Sequence, residues 1–246
     1  MEHYTRLPLT GTLNTRELGG IPTPNGPTAW GKFVRSDGLQ ELTAADIRFL
    51  QDYGITRIID LRSTEELLHQ PNPVTEGIQY FNISLMLANV SDATKQMNTA
   101  NGFDLGDFYI ALLEERDQQL RLIFELMAEN NGATLFHCAA GKDRTGVVAA
   151  LLLALAGAAF PDIVANYQTT HTFLSAHTRF QVAQTAVDPK LMRSDTENMA
   201  RFLDHLALHY GDAASYFRQA GLCEEHLQTL QQKLCPGRIT EIAVNE

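Results

Sequence analysis

Apolar and polar positions follow two rhythms along this chain, and each change of rhythm marks an element. Short apolar runs bounded by turn residues predict buried strands at Lys32–Asp37, Ile55–Leu61, Gln79–Ser84 and Ala133–Phe136, the last just after the turn signal Asn131-Gly132. Between them the spacing turns helical. Thr43 heads a helix running to Tyr53, with Leu42, Ile47, Phe49 and Leu50 on its apolar side and Gly54 as its stop. Ser63 with Glu66 at the third position beyond it forms a capping box. Phe108–Glu115 and Gln119–Glu129 read as amphipathic helices, and Val147–Phe160, rich in Ala and Leu, predicts a core helix. Pro161 suits the first turn of another helix, in which Ile163, Val164, Tyr167, Thr170, Phe173 and Leu174 recur. Residues 174–210 are helical but less apolar, with a break at Asp188-Pro189, and residues 211–235 predict two packed helices joined at Gly221. The opening 30 residues, dense in Gly, Pro, Thr and Asn, predict turns and short extended pieces; Leu87–Asn101 predicts a loop and residues 236–246 a loose tail.

Helix, strand, loop and helix in succession give an α/β rhythm, so the expected fold is a central, mainly parallel sheet flanked by helices, built by one domain over residues 1–246. Ligands of such sheets gather at the carboxyl ends of the strands, which is where Asp60 and Arg62 fall. The composition, 44% hydrophobic and 20% charged, is that of an ordinary globular enzyme. A net charge of −10 excludes the basic footprint of a general nucleic-acid binder. No run of about 20 apolar residues predicts membrane insertion. Three cysteines, Cys138, Cys223 and Cys235, are too few and too odd in number for a disulfide framework. The N-terminus lacks a basic region followed by an apolar run, so a cytoplasmic workplace is expected, with export by a non-classical route left open.

The chemistry concentrates in His137-Cys138-Ala139-Ala140-Gly141-Lys142-Asp143-Arg144-Thr145-Gly146, between the last strand and the core helix. A strand turning tightly into a helix aims several backbone N–H groups and the positive end of the helix dipole at one point, where an anion sits well. Cys138 lies at the start of that turn, where the same field favours the thiolate. Arg144, one turn later, carries a planar fork able to bind two phosphate oxygens. A thiolate beneath a bound phosphate is arranged to attack phosphorus. Gly141 and Gly146 serve close approach and packing. His137 points away from the nucleophile and is expected to make a structural hydrogen bond. Thr145 is a candidate donor to the departing sulfur, or a capping hydroxyl.

Cys-x5-Arg followed by Thr resembles the signature of cysteine-dependent protein tyrosine phosphatases, and HCxxGKDRTG resembles a bacterial branch of that superfamily. Asn14–Gly20, Lys32–Asp37, the IIDLRSTEE stretch and the ending Tyr216-Phe217-Arg218-Gln219-Ala220-Gly221-Leu222 resemble further elements of the branch. The resemblance implies a tyrosine phosphatase-like fold, with the C-terminal helices over 174–210 as a candidate lid. It implies hydrolysis of phosphotyrosine, with phosphoserine, phosphothreonine and phosphoinositides as further substrates, through a cysteinyl-phosphate on Cys138. Phosphate would be cradled by Cys138, Ala139, Ala140, Gly141, Lys142, Asp143 and Arg144. For the general acid, the branch points to Asp143, whereas most of the superfamily points to an aspartate upstream, here Asp104 or Asp107, whose other reading is helix capping. Arg35, Asp37, Asp60 and Arg62 are candidates for holding the loop, and a salt bridge from Asp143 to Arg35 or Arg62 is the alternative use of that carboxylate. Lys142 would stand at the mouth for a further phosphate, although Ala139 holds the place where inositide-selective members carry a basic residue. No cofactor is implied and no zinc-ligand spacing exists. A Walker loop fails because Phe136 and Asp143 stand where Gly and Ser or Thr are required. A catalytically inactive phospho-binding module and an inositide-selective lipid phosphatase are the alternative functions. Oligomeric state is not legible.

Overall fold

The computed structural model describes residues 3–73, 75–87, 104–177 and 193–237. The body of the predicted loop after Leu87, the Asp188-Pro189 break and the tail beyond Gly237 lie outside them. Five strands, β1 (Arg16–Glu17), β2 (Phe33–Ser36), β3 (Ile55–Asp60), β4 (Gln79–Asn82) and β5 (Ala133–His137), form one sheet in the order β1-β2-β5-β3-β4. All neighbouring pairs are parallel except β1 with β2. β5 therefore sits in the middle, with Asp60 and Ser36 level with His137 on either side. A parallel strand covered on both faces carries apolar residues at successive positions, as Ile58-Ile59 of β3 and Leu135-Phe136 of β5 do.

Successive side chains leave a strand on opposite faces, which splits the core in two. Phe33, Ile59 and Phe136 face a thick helical layer, while Val34, Ile58 and Leu135 face a thinner one. The thin layer is α1 (Ala44–Asp52), whose capping box joins Thr43 and Asp46, together with Leu7, Leu9, Leu39 and Leu42. The thick layer holds α3 (Leu105–Glu115), α4 (Asp117–Glu129), α5 (Asp143–Ala156), α6 (Phe160–Ser175), α7 (Thr196–Tyr210), α8 (Ala213–Gln219) and α9 (Glu224–Leu234). In α5 every residue but Asp143 and Ala154 is buried, as expected of a helix apolar on all sides. α7 turns Met199, Phe202, Leu203 and Leu206 into this core. In contrast, α2 (Thr64–His69), begun by the Ser63–Glu66 capping box, buries no residue. Among the described residues no helix is long and apolar enough to cross a membrane.

Several boundaries differ from expectation. The core helix begins one turn earlier than Val147, because the loop runs directly into it. It ends at Ala156 rather than Phe160, because Gly157 adopts φ 82°, a left-handed conformation that closes helices. Phe160 instead opens α6, with Pro161 in its first turn. α3 starts at Leu105 rather than Phe108, since Asp104 caps it.

Candidate active site

Residues 137–146 leave the carboxyl end of β5 and enter the first turn of α5. Their backbone is held from behind by its carbonyls. His137 O accepts the Leu61 N–H at 2.8 Å, and Ala139 O accepts the Gly38 N–H at 2.9 Å. Cys138 O lies 3.1 Å from His137 Nδ1. Asn14 Nδ2 donates to both Ala140 O and Gly141 O at 3.1 Å, and Arg35 Nη2 donates to Gly141 O at 2.8 Å. Five consecutive carbonyls thus turn outward. A peptide whose carbonyl points one way sends its N–H the other way, and no described hydrogen bond takes its proton from the backbone of 139–141. The helix end continues the pattern: Lys142 occupies the N-cap without a side-chain cap, leaving the first N–H groups of α5 open to an anion. Gly141 makes the turn with φ 64°, and a Cβ there would sit 2.5 Å from Ser36 O, so only glycine fits.

Cys138 is 3% exposed, unpaired with another cysteine, and follows β5 on the side of the thick layer. Arg144 lies one turn into α5. Its Nη1 and Nη2 donate to the Glu66 carboxylate at 2.7 and 2.8 Å, and Nη1 also reaches Leu61 O at 3.3 Å. A guanidinium has five N–H donors, so this grip fixes the plane and leaves the Nε edge for another acceptor. Burial alone would lower the Arg144 pKa, but Glu66, Cys138 and Asp143 more than offset it and raise it. Conversely, burial raises Glu66 and the Arg144 hydrogen bonds overcome that, holding it below the usual carboxylate value. Thr145 Oγ1 is buried without a hydrogen-bond partner.

The sheet supplies two supports. On the thin-layer side, Asp60 binds Arg62 through both carboxylate oxygens, with Nη2 at 2.7 Å from Oδ2 and Nε at 3.0 Å from Oδ1. Asn72 Nδ2 and Tyr80 Oη donate to the same Oδ2, and His137 Nε2 stands 3.3 Å away. Burial opposes ionisation of Asp60, but the hydrogen bonds from His137 and Arg62 dominate and hold its pKa far below the ordinary value. Asp37 accepts the N–H groups of Leu13 and Asn14, which fixes Asn14 behind the loop. On the other face, Arg35 is 1% exposed and also donates to Asn166 Oδ1 at 2.7 Å. Burial pushes its pKa down to about 10, partly countered by Cys138.

Lys142 differs from expectation, and the alternative use of Asp143 as a salt-bridge partner of Arg35 or Arg62 is not made. Lys142 is not displayed at the mouth. It is 3% exposed, and Nζ donates to Arg193 O at 3.0 Å while lying 3.3 Å from Asp143 Oδ1. Its long stem folds back because that carbonyl, just ahead of α7, offers an acceptor. Asp143 makes no ion pair with Arg35 or Arg62, whose hydrogen bonds go to Gly141, Asn166 and Asp60. It accepts instead from Tyr109 Oη at 2.5 Å. The upstream aspartates are engaged elsewhere. Asp104 caps α3 through the Asp107 N–H, and both carboxylates pair with Arg201 of α7.

Sequence reasoning gave no role to Asn14, Asn166 or Tyr109, and read Glu66 as a cap alone. Glu66 does both jobs: Oε2 accepts the Ser63 N–H at 2.8 Å and Arg144 Nη1 at 2.7 Å. A cavity of about 630 Å³ opens between α2 and Ser84 and Met86, and Ala139 of the loop lines it. No cluster of three or more metal-ligating side chains occurs among the described residues.

A model described as the tyrosine phosphatase family matches residues 7–236. A tyrosine-protein phosphatase of Nostoc commune is 32% identical over 217 residues, covering 82% of this chain and 74% of that protein. The triple specificity protein phosphatase PtpB of Mycobacterium tuberculosis is 29% identical over 189 residues, covering 65% of this chain and 67% of its own. TpbA of P. aeruginosa, solved in complex with phosphotyrosine, is 14% identical, covers 89% of this chain and 88% of its own, and superposes with a TM-score of 0.39.

Proposed function

The chain belongs to the tyrosine phosphatase family, and from that premise we propose that it hydrolyses phosphotyrosine in proteins through a cysteinyl-phosphate on Cys138. The observation that carries this reading is the outward turn of five consecutive carbonyls, 137–141, above an uncapped helix end. That cradle suits a tetrahedral dianion, and in this reading Cys138 lies at its base.

In this reading the phosphoryl oxygens accept from the backbone of 139–144 and from the open edge of Arg144, whose plane Glu66 has already set. Donors aimed beforehand at the charge that builds up in the transition state lower the barrier without reorganising. The Cys138 thiolate forms the S–P bond as the P–O bond to the tyrosine breaks. Asp143, at the rim with its side chain 27% exposed, gives the leaving phenolate its proton and then takes one from the water that attacks phosphorus. The partnerless Thr145 hydroxyl donates to the sulfur as the S–P bond breaks. Asp104 and Asp107, tied to Arg201, serve α3 and α7 instead. Asp60, Arg62, His137, Arg35 and Asn14 hold the loop in shape.

Phosphoserine, phosphothreonine and phosphoinositides are secondary substrates in this proposal, consistent with the breadth named for the M. tuberculosis relative. The inward engagement of Lys142 disfavours an inositide-selective enzyme. The test is a panel of phosphotyrosine and phosphoserine peptides and phosphoinositides, run with wild type and Cys138→Ser. Phosphotyrosine should give the highest kcat/KM, and the variant should be inactive on all. A Cys138→Ser protein that still turned over phosphotyrosine would remove the nucleophile, and an inositide preferred by wild type would replace the substrate class.

A further inference from the structure

Asp143 sits at the end of a buried chain of hydroxyls that the phosphatase chemistry does not by itself require. Tyr109 Oη donates to Asp143 Oδ1 at 2.5 Å and lies 2.7 Å from Tyr167 Oη. The two rings meet edge to face with centroids 6.0 Å apart. Both are buried, at 0% and 1% exposure, on different helices, α3 and α6. Asn198 of α7 adjoins Tyr167 at the far end. Gly146, one turn into α5, lets the chain approach: a Cβ there would stand 3.2 Å from Tyr167 Cδ2.

We propose that Tyr109 and Tyr167 are positioning residues for Asp143, which fix Oδ1 as the accepting oxygen so that the acid proton resides on Oδ2. The proposal rests on the reading of Asp143 as the general acid. A carboxylic acid has one proton and two oxygens, and a buried donor held on one oxygen decides which of them carries it. The directionality is built in. Tyr109 spends its single proton on Asp143, so its own oxygen is left to accept from Tyr167. Neither hydroxyl has any tendency to ionise, because burial and then the Asp143 charge raise both tyrosines above their usual value. Each therefore remains a donor across the working pH range.

O–H···O⁻ contacts of 2.5–2.7 Å are the strong kind, so the donor that marks Oδ1 is a firm one. The other groups facing Asp143 are cationic or anionic neighbours from each adjoining element: Lys142 beside it, Arg35 from β2, Arg144 from its own helix and Cys138 beneath. Lys142 Nζ stands 3.3 Å from the same Oδ1, farther than the 2.5 Å of Tyr109 Oη, so both donors mark that oxygen as the acceptor.

The experiment compares kcat/KM for wild type, Tyr109→Phe, Tyr167→Phe and Asp143→Asn, using aryl phosphates with a poor leaving group (phenol) and a good one (2,4-dinitrophenol). Tyr109→Phe should slow the phenol ester about tenfold and the dinitrophenol ester much less, because only the first needs a proton from Asp143. Tyr167→Phe should give the same pattern in weaker form. An equal loss on both esters would mean that the tyrosines only support the fold, and would overturn the proposal. If Tyr109→Phe fails to fold by its thermal unfolding curve, the Tyr167→Phe pattern decides in its place. Asp143→Asn separates the two readings. If it leaves the dependence on leaving group unchanged, the acid assignment itself fails. If it steepens that dependence while neither tyrosine variant does, only the tyrosine proposal fails.

Discussion

Two helices of this molecule begin with aspartates and meet opposite fates. α3 starts behind Asp104, whose side chain takes the Asp107 N–H, and Arg201 then neutralises both carboxylates. α5 starts behind Lys142, whose side chain turns away to Arg193 and caps nothing. The first helix end is closed by its own residues, whereas the second is left open. Open N–H groups at a buried helix start must be satisfied by something, and a phosphate is well suited to it. An acidic residue beside a helix start therefore says little by itself. What matters is whether its carboxylate is consumed in capping, like that of Asp104, or kept at the rim by a donor from elsewhere, like that of Asp143.

The sharpest way to break this contrast is at the open end. Arg144→Lys should reduce kcat/KM by about a thousandfold, because an ammonium cannot be held in plane by Glu66 while offering a second edge to phosphate. Steady-state kinetics on a phosphotyrosine peptide checks this; a loss under tenfold would mean that the backbone cradle alone binds the transition state. Next in size is the support behind the loop. Asp60→Asn should cost about 3 kcal/mol at neutral pH, since it leaves Arg62 buried without its counter-charge. The sign with pH follows from the depressed native pKa. The stability due to Asp60 is fully present above the ordinary aspartate value of 3.8 and is lost as the pH falls below it towards the native value. Urea unfolding of both proteins from pH 7 to pH 3 should show the gap between them narrowing. Asp143→Asn should lower kcat/KM about a hundredfold on phosphotyrosine, whereas Asp107→Asn should change it less than about threefold. The reverse ranking would assign the acid to the closed helix. The smallest effect belongs to Asp104→Ala, which should cost about 1 kcal/mol of stability through the lost cap and leave the rate unchanged. Thermal unfolding and an activity assay on the same sample would show it.

The loop residues Cys138, Gly141 and Arg144 were legible because they are contiguous and stand between a readable strand and a readable helix. The sheet was legible for a similar reason: β3 and β5 are apolar runs with turn residues at their ends. The partners of the loop were not. Asn14 resembles any turn asparagine until the fold puts its amide behind Ala140 and Gly141. Glu66 satisfied a local rule so well that its second task was hidden. Tyr109 and Tyr167 lie at helical spacing among apolar neighbours, so pattern alone makes them core aromatics, and only the fold brings their hydroxyls into line. Lys142 was misjudged because a lysine in a polar loop ordinarily points to solvent, and the carbonyl that captures it belongs to Arg193. Local chemistry could be read from adjacency, while contacts between distant segments carry no local signature.

The rear fastenings of the loop also set when this protein becomes competent as it folds. Asn14 reaches Ala140 across 126 positions, Arg35 reaches Gly141 across 106, and Lys142 reaches Arg193 across 51. Contacts so far apart in sequence form late, because the chain must lose the entropy of closing long loops before they stabilise anything. Helices such as α5 form from neighbours and come early by comparison. In refolding, far-ultraviolet circular dichroism should therefore recover ahead of phosphatase activity, with the delay set by docking of the N-terminal segment. On the ribosome, the complete loop must wait until Arg193 has emerged, long after Cys138 itself.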